Sequence, residues 1–265
     1  MSVLFIMLLL FVMTLDSVHA SENHGLVRFN GTDIKLFETP FVRILIVLFG
    51  VGALALGLRA FISKRTKMLI LQRQKHRDSI VKMMLLVANI VDSKNEYTKG
   101  HSLRVATYSR MIGERLGMAE SELETLYYAA LLHDIGKMGI PDTILYKKGP
   151  LTNEEYEIIK SHAAIGGELL NDITDIGDIA AGVKYHHERK DGKGYMGLRG
   201  DDIPLFIKIL CACNALDSML SDQPYRKAFS IEKTQSEFLS NAGTQFDEKI
   251  TAVLISLITE GGIPL

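Results

Sequence analysis

Cysteine is scarce in this chain, with Cys211 and Cys213 its only two. Both sit in an apolar stretch of helical spacing, so they read as small buried thiols rather than as a disulfide or metal ligands. Charge of one sign is scarce too. The formal net charge is −1, and the basic residues gather in one short segment instead of spreading over a domain face, which argues against bulk nucleic-acid binding. Strand signals are nearly absent and there is no internal repeat or low-complexity tract, so the expected fold class is all-α. Room for a conventional extracytoplasmic sensor is missing as well: residues 21–40 make a segment of about twenty residues, too short to fold as a domain without disulfides or a metal.

The N-terminal part of the chain holds apolar length instead. Residues 3–15 form an apolar run of about thirteen, the size of a signal-peptide core rather than of a span. Val18-His19-Ala20 resembles a small-residue cleavage site, yet no Lys or Arg precedes Leu4. Residues 1–20 therefore read as a signal peptide or a first membrane anchor. Residues 41–62 are about long enough to cross a bilayer, with Arg43 and Arg59 near the ends and no polar face between them. They read as a transmembrane helix. Lys64, Arg65, Lys67, Arg73, Lys75 and Arg77 follow directly, which by the positive-inside rule puts everything after residue 63 on the cytoplasmic side of the inner membrane. Residues 63–80 then form a basic helical linker in contact with lipid, and residues 81–260 a cytoplasmic domain.

That domain reads as helical almost throughout. Residues 68–91 are first basic and then amphipathic, and residues 101–116 continue the helical period up to Gly117, a helix-ending glycine. Ser121 with Glu124 reads as a capping box opening a helix that carries Leu131, Leu132, His133 and Asp134. Thr152 with Glu155 reads as another, opening the helix that runs to His162 and beyond. Pro204 suits the first turn of a helix reaching Leu220, and residues 246–258 form the last apolar-periodic segment.

Of eight histidines, five lie in this domain: His101, His133, His162, His186 and His187. A lone histidine on an apolar helix is usually a hydrogen-bonded core residue. Five of them, including a His133-Asp134 and a His186-His187 doublet, are hard to explain as core packing. Neutral imidazole and carboxylate suit catalytic iron, manganese or zinc. Consecutive histidine and aspartate let one carboxylate bridge two metals while the imidazole ligates one of them. Lys137, one turn after His133 and expected on the same helix face, adds a cation that can hold a phosphate.

These residues fall in stretches that resemble the HD-GYP phosphodiesterases of the HD metal-dependent phosphohydrolase superfamily. The matching stretches are Tyr97-Thr98-Lys99-Gly100-His101-Ser102, Leu131-Leu132-His133-Asp134-Ile135-Gly136-Lys137, Lys160-Ser161-His162, His186-His187-Glu188, Asp191-Gly192-Lys193-Gly194-Tyr195 and Ser221-Asp222-Gln223-Pro224-Tyr225-Arg226. The resemblance covers residues 80–258. It implies a helical bundle that holds two divalent metal ions, iron or manganese, and hydrolyses the bacterial messenger cyclic di-GMP to linear pGpG and onward to GMP. Carried over position by position, it implies His101, His133, Asp134, His162, His186, His187 and Asn214 as metal ligands, with Asp134 bridging the metals and Lys137 stabilising charge on the phosphate. Gly194, Tyr195 and Arg226 join Lys137 as the implied substrate contacts. A second copy of the chain and other signalling proteins are the implied partners besides cyclic dinucleotide and lipid.

The chain departs from the family pattern at four points. Asn214 stands where the family has its last ligand aspartate; its amide oxygen can coordinate but brings no negative charge. Gln223 replaces a phosphate-gripping arginine, leaving Arg226 as the nearby fork-shaped donor. Met196 replaces the family's proline, which removes a backbone restraint from the loop. Tyr97 stands where members with a third metal carry glutamate, so a two-metal site is expected. Two readings follow: a phosphodiesterase with reduced activity, or a catalytically silent relative that binds a cyclic dinucleotide or a partner protein.

Overall fold

The computed structural model describes residues 26–29, 32–35, 40–94, 99–147, 149–173, 177–223 and 226–263. The expectations for residues 1–20 and for Tyr97 lie outside these residues. The chain divides into two compact units, Met1–Arg77 and Asp78–Leu265.

The first unit adds a short feature that the sequence did not signal. Strands β1 (Leu26–Phe29) and β2 (Thr32–Lys35) pair antiparallel with Leu26 opposite Lys35 and Phe29 opposite Thr32. A two-stranded ribbon of this size is marginal by itself, and the class of the protein remains all-α.

Helix α1 (Pro40–Ser93) is 54 residues long. It fuses what the sequence suggested as two segments, 41–62 and 68–91. Nothing between them stops a helix: Ser63, Lys64, Arg65, Thr66 and Lys67 include neither Gly nor Pro, and the Thr66 hydroxyl donates back to the Ile62 carbonyl at 3.0 Å. Pro40 starts the helix, where its missing N–H costs no hydrogen bond. Among the described residues α1 is the one helix long and apolar enough to cross a membrane, and none of its apolar 18-residue window is buried.

The second unit is a helical bundle of α2 (His101–Arg115), α3 (Glu120–Leu132), α4 (Asp142–Leu145), α5 (Asn153–Leu169), α6 (Ile179–Tyr185), α7 (Leu205–Leu220), α8 (Ile231–Ser240) and α9 (Glu248–Thr259), with 3₁₀ turns at Ile135–Gly139 and Gly200–Asp202. The helices bury apolar stripes against each other. In α9, Ile250, Leu254 and Leu257 recur at helical spacing and are buried, each contributing roughly 1.5–3 kcal/mol of transfer free energy. Ile112, Leu126, Leu131, Ile209, Leu216 and Phe238 fill the same core.

Several ends match their sequence signals. Gly117, at φ +76°, ends α2, and Met118 N–H donates to the Gly113 carbonyl at 3.1 Å. Thr152 Oγ1 accepts from Glu155 N–H at 3.2 Å while the Glu155 carboxylate accepts from Thr152 N–H at 2.8 Å, the expected reciprocal box. The box expected at Ser121 is displaced. Helix α3 opens after Ala119, whose N–H donates to Glu122 at 2.9 Å, and Ser121 lies inside the helix. A second expectation is corrected in the same stretch. His133 and Asp134 do not lie within one helix with Lys137; α3 ends at Leu132, and Asp134 opens the 3₁₀ turn carrying Lys137. The break is forced by packing: a Cβ on Gly136 would fall 1.9 Å from the His162 carbonyl and 2.6 Å from Gly166 N. The turn therefore presses backbone to backbone on α5, which only glycine permits, and this contact brings the His133-Asp134 doublet to His162.

Candidate metal centre

Four of the five histidines, His101, His133, His162 and His186, are oriented by a partner on the ring nitrogen that faces away from the centre. His133 Nδ1 lies 2.7 Å from the Ala130 carbonyl, His162 Nδ1 2.6 Å from Ile159 and His186 Nδ1 2.5 Å from Val183. A carbonyl can only accept, so each Nδ1 carries the proton and each Nε2 presents a lone pair. All three carbonyls lie three residues back, on the final turns of α3 and α6 and within α5. The positions follow from helix geometry, which directs a side chain toward the preceding turn.

His101 reaches the same tautomer by another route. It is the first residue of α2, after Gly100 at φ +73°. Its Nδ1 lies 2.7 Å from Asp217 Oδ2 on α7, so the carboxylate takes the proton and Nε2 again points inward. Asp217 is in turn clamped by Arg104, with Nε at 2.6 Å and NH2 at 3.0 Å. Burial pushes the Asp217 carboxyl up, but the hydrogen bonds from His101 and Arg104 outweigh it and hold the group below its ordinary value. Asp92, buried at the end of α1, accepts from Ser102 N–H at 3.0 Å and from its hydroxyl at 2.7 Å, fixing the first turn of α2.

The inward nitrogens meet in pairs. His101 Nε2 and His133 Nε2 are 3.2 Å apart, as are His162 Nε2 and His186 Nε2. Two lone pairs cannot hydrogen-bond each other; a cation shared between them turns repulsion into coordination. Asp134 lies between the pairs, with Oδ2 3.4 Å from His133 Nε2 and 3.8 Å from His101 Nε2, and Oδ1 3.4 Å from His162 Nε2. Two groups able to hold an ion result, His101 with His133 and Asp134, and His162 with His186 and His187. The donor set of imidazoles and a carboxylate fits divalent cations.

The electrostatics agree. Burial lowers the His133 imidazole to about 4 and His187 to about 3, and it carries His186 well below the usual histidine range. These rings are neutral ligands at physiological pH. Burial would raise Asp134, yet the Lys137 ammonium beside it holds the carboxylate ionised well below its ordinary range. Lys137 Nζ donates to Asp134 Oδ2 at 2.6 Å.

Around this centre the other expected site residues are placed unequally. Tyr195 stacks on His187, ring centroids 4.3 Å apart at 26°. Gly194 sits against Glu188, where a Cβ would fall 2.6 Å from Glu188 Cα, and Glu188 Oε1 accepts from Met196 N–H at 2.5 Å. The loop is tied at its base by Asp191 N–H to the Thr244 carbonyl and by Arg189, which bonds both Asp191 and Gln245. Asn214 is half-buried on α7, three residues before Asp217. Asp217 orients His101 through its Nδ1. Arg226 differs from expectation: its guanidinium donates to the carbonyls of Ser218, Met219 and Lys227 and lies 4.3 Å from the Phe229 ring. It closes the C-terminal end of α7, where bare carbonyls attract a cation. Arg104 and Asp92 were missed by sequence reasoning, because their partners lie on other elements.

Comparison with known proteins accords with this geometry. A family model described as HD domain matches residues 85–250. A Vibrio cholerae protein named 3'3'-cGAMP-specific phosphodiesterase 3 is 37% identical over 166 residues, covering 62% of this chain and 36% of its own length. A Thermotoga maritima cyclic di-GMP phosphodiesterase is 34% identical over 189 residues, covering 70% of this chain and 51% of its own. The chain thus spans about a third to a half of the length of these relatives. In fold it is similar to the crystal structure of a cyclic GMP-AMP specific phosphodiesterase of V. cholerae, with a TM-score of 0.55 at 20% identity over 68% of this chain and 49% of that one. The match takes in more than half of the chain, including the His133-Asp134 doublet at the centre of the cluster, and the chain belongs to the HD-domain family.

Proposed function

We propose that this protein is a membrane-tethered, metal-dependent phosphodiesterase that hydrolyses cyclic di-GMP to pGpG and GMP in bacterial second-messenger signalling. The observation that carries the reading is the Asp134 carboxylate set between two pairs of inward-facing histidine nitrogens, with Lys137 on its flank. The relatives named as cyclic di-GMP and 3'3'-cGAMP phosphodiesterases support the substrate class.

His101, His133, His162, His186 and His187 would hold two iron or manganese ions bridged by Asp134, with Asn214 as a neutral further donor. When bound, these ions supply Lewis acidity toward the phosphate and a nucleophile at neutral pH. The chain's own groups do the rest. Carbonyls and Asp217 fix the tautomers of His101, His133, His162 and His186, which leaves each Nε2 free to engage a cation. Lys137, only partly exposed, bonds Asp134, and its ammonium would stabilise charge that grows on a phosphate oxygen bound beside it. Tyr195 offers a ring face to a base, and Gly194 lets the loop backbone approach closely.

The exposed apolar part of α1 and the basic residues after it support anchoring in the inner membrane with the metal centre in the cytoplasm. A second reading, a module that binds the dinucleotide without turnover, is favoured by one observation: both Arg226 and Gln223 spend their donors on backbone carbonyls of α7, which leaves phosphate grip to Lys137. Product analysis of the full chain, purified with manganese or iron and incubated with cyclic di-GMP, decides between them. Release of pGpG and GMP is expected; binding without product selects the second reading.

A further inference from the structure

Beyond the metal ligands, α5 carries a group of side chains that the mechanism above does not use. Tyr156 and Lys160 are one turn apart, and Lys160 Nζ lies 5.7 Å from the Tyr156 ring centroid and 5.5 Å from that of Tyr195. The same ammonium bonds both oxygens of Glu157, at 2.9 and 3.1 Å. Lys160 thus lies between the rings of Tyr156 and Tyr195. A continuous series therefore runs outward from a metal ligand: His187, Tyr195, Lys160 with Glu157, then Tyr156. Glu157 and Tyr156 are largely open to solvent, at 66% for the carboxylate side chain and 47% for the tyrosine.

An exposed ion pair of this kind adds little to folding, so stability does not account for its position beside two aromatic faces. Its chemistry matches a purine edge. The Watson–Crick edge of guanine presents the O6 acceptor beside the N1–H and N2–H donors; Lys160 supplies a donor for the first and Glu157 an acceptor for the others. Adenine presents the reverse, an amino donor toward Lys160 and a bare N1 toward Glu157, so it offers neither group a bond and the Lys160–Glu157 pair stays as it is. The rings of Tyr195 and Tyr156 add stacking that any base accepts.

We propose that Glu157 and Lys160, flanked by Tyr156 and Tyr195, form a guanine-reading edge that sets base preference among cyclic dinucleotides. The assignment rests on the cyclic-dinucleotide reading of the metal centre and specifies its base.

The test uses the full chain in detergent, loaded with manganese, and compares cyclic di-GMP, 3'3'-cGAMP and cyclic di-AMP by calorimetric binding and by kcat and KM. Glu157→Ala and Lys160→Met should each raise Kd and KM for cyclic di-GMP about tenfold, with a much smaller effect on kcat. For cyclic di-AMP the change should stay within about twofold, so that the guanine preference collapses by the ratio. Equal losses on all three ligands, or an unchanged preference in both variants, overturn the guanine-reading edge while leaving the cyclic-dinucleotide reading in place. If the unaltered protein neither binds nor hydrolyses any of the three, the parent reading fails and this assignment with it.

Discussion

The two units invert each other's chemistry. In the first, Phe41, Leu48, Phe49, Val51 and Leu54 stand exposed on α1; in the second, His101, His133, Asp134, His162 and His186 are buried. Apolar surface left in water is costly, and so are buried groups that can ionise. Neither arrangement is stable chemistry in water alone. The exposed apolar segment of α1 is compatible with a membrane anchor, and the buried imidazoles, four of them with the outer ring nitrogen committed to a carbonyl or a carboxylate, form groups that could hold metal ions.

The sharpest way to break the comparison is at its buried side. Asp134→Ala should abolish hydrolysis, as should His133→Ala, since both remove groups between or beside the ions; any retained turnover, assayed by chromatography of the nucleotide products, contradicts the mechanism. On the exposed side, Val51→Lys combined with Leu54→Lys places two charges near the middle of the apolar segment. At roughly 2.5–3.5 kcal/mol each, they should move the chain from the membrane fraction to the soluble one, and an unchanged sedimentation profile would refute the anchoring role of α1.

Smaller effects sharpen the picture. Asp217→Asn removes the charged acceptor behind His101 and should weaken metal affinity about 10–100-fold, read by competition with a chelator. Asn214→Asp restores a negative charge at nearly constant volume. It should raise metal occupancy and turnover about tenfold; a gain of metal without product would favour the binding module. The mildest test is pH. Burial depresses His133 to about 4 and His187 to about 3, against ordinary values near 6.5. The unfolded chain therefore binds more protons in this window. The stability these rings contribute is complete above about pH 6.5 and is lost as pH falls toward 4. Thermal melts of metal-free protein should show Tm dropping between pH 7 and 5, and a flat profile would show that the rings are not held neutral by burial.

Much of the site was legible because ligand chemistry is local in sequence. The doublets His133-Asp134 and His186-His187, with His101 and His162, come together as their residue types suggest. Helix boundaries marked by strong signals, Gly117 and Thr152 with Glu155, also fall where expected. What was not legible depends on contacts between distant elements. Asp217 meets His101 across 116 positions and Arg104 across 113, and no local pattern announces either pair. The interruption of α3 before Asp134 arises from the approach of Gly136 to α5, a packing fact with no counterpart in helix propensity. Arg226 depends on distant contacts in the same way: that its guanidinium bonds the carbonyls at the end of α7 shows only once those carbonyls are placed beside it.

The central claim is that Asp134 joins two histidine groups into one metal centre. Metal content measured by mass spectrometry on anaerobically purified full chain, side by side with Asp134→Ala, tests it most directly. The account predicts two ions per chain in the unaltered protein, as the bridged pair requires, and a clear loss in the variant, because two cations without the carboxylate between them repel. Equal metal content in the two proteins would contradict it.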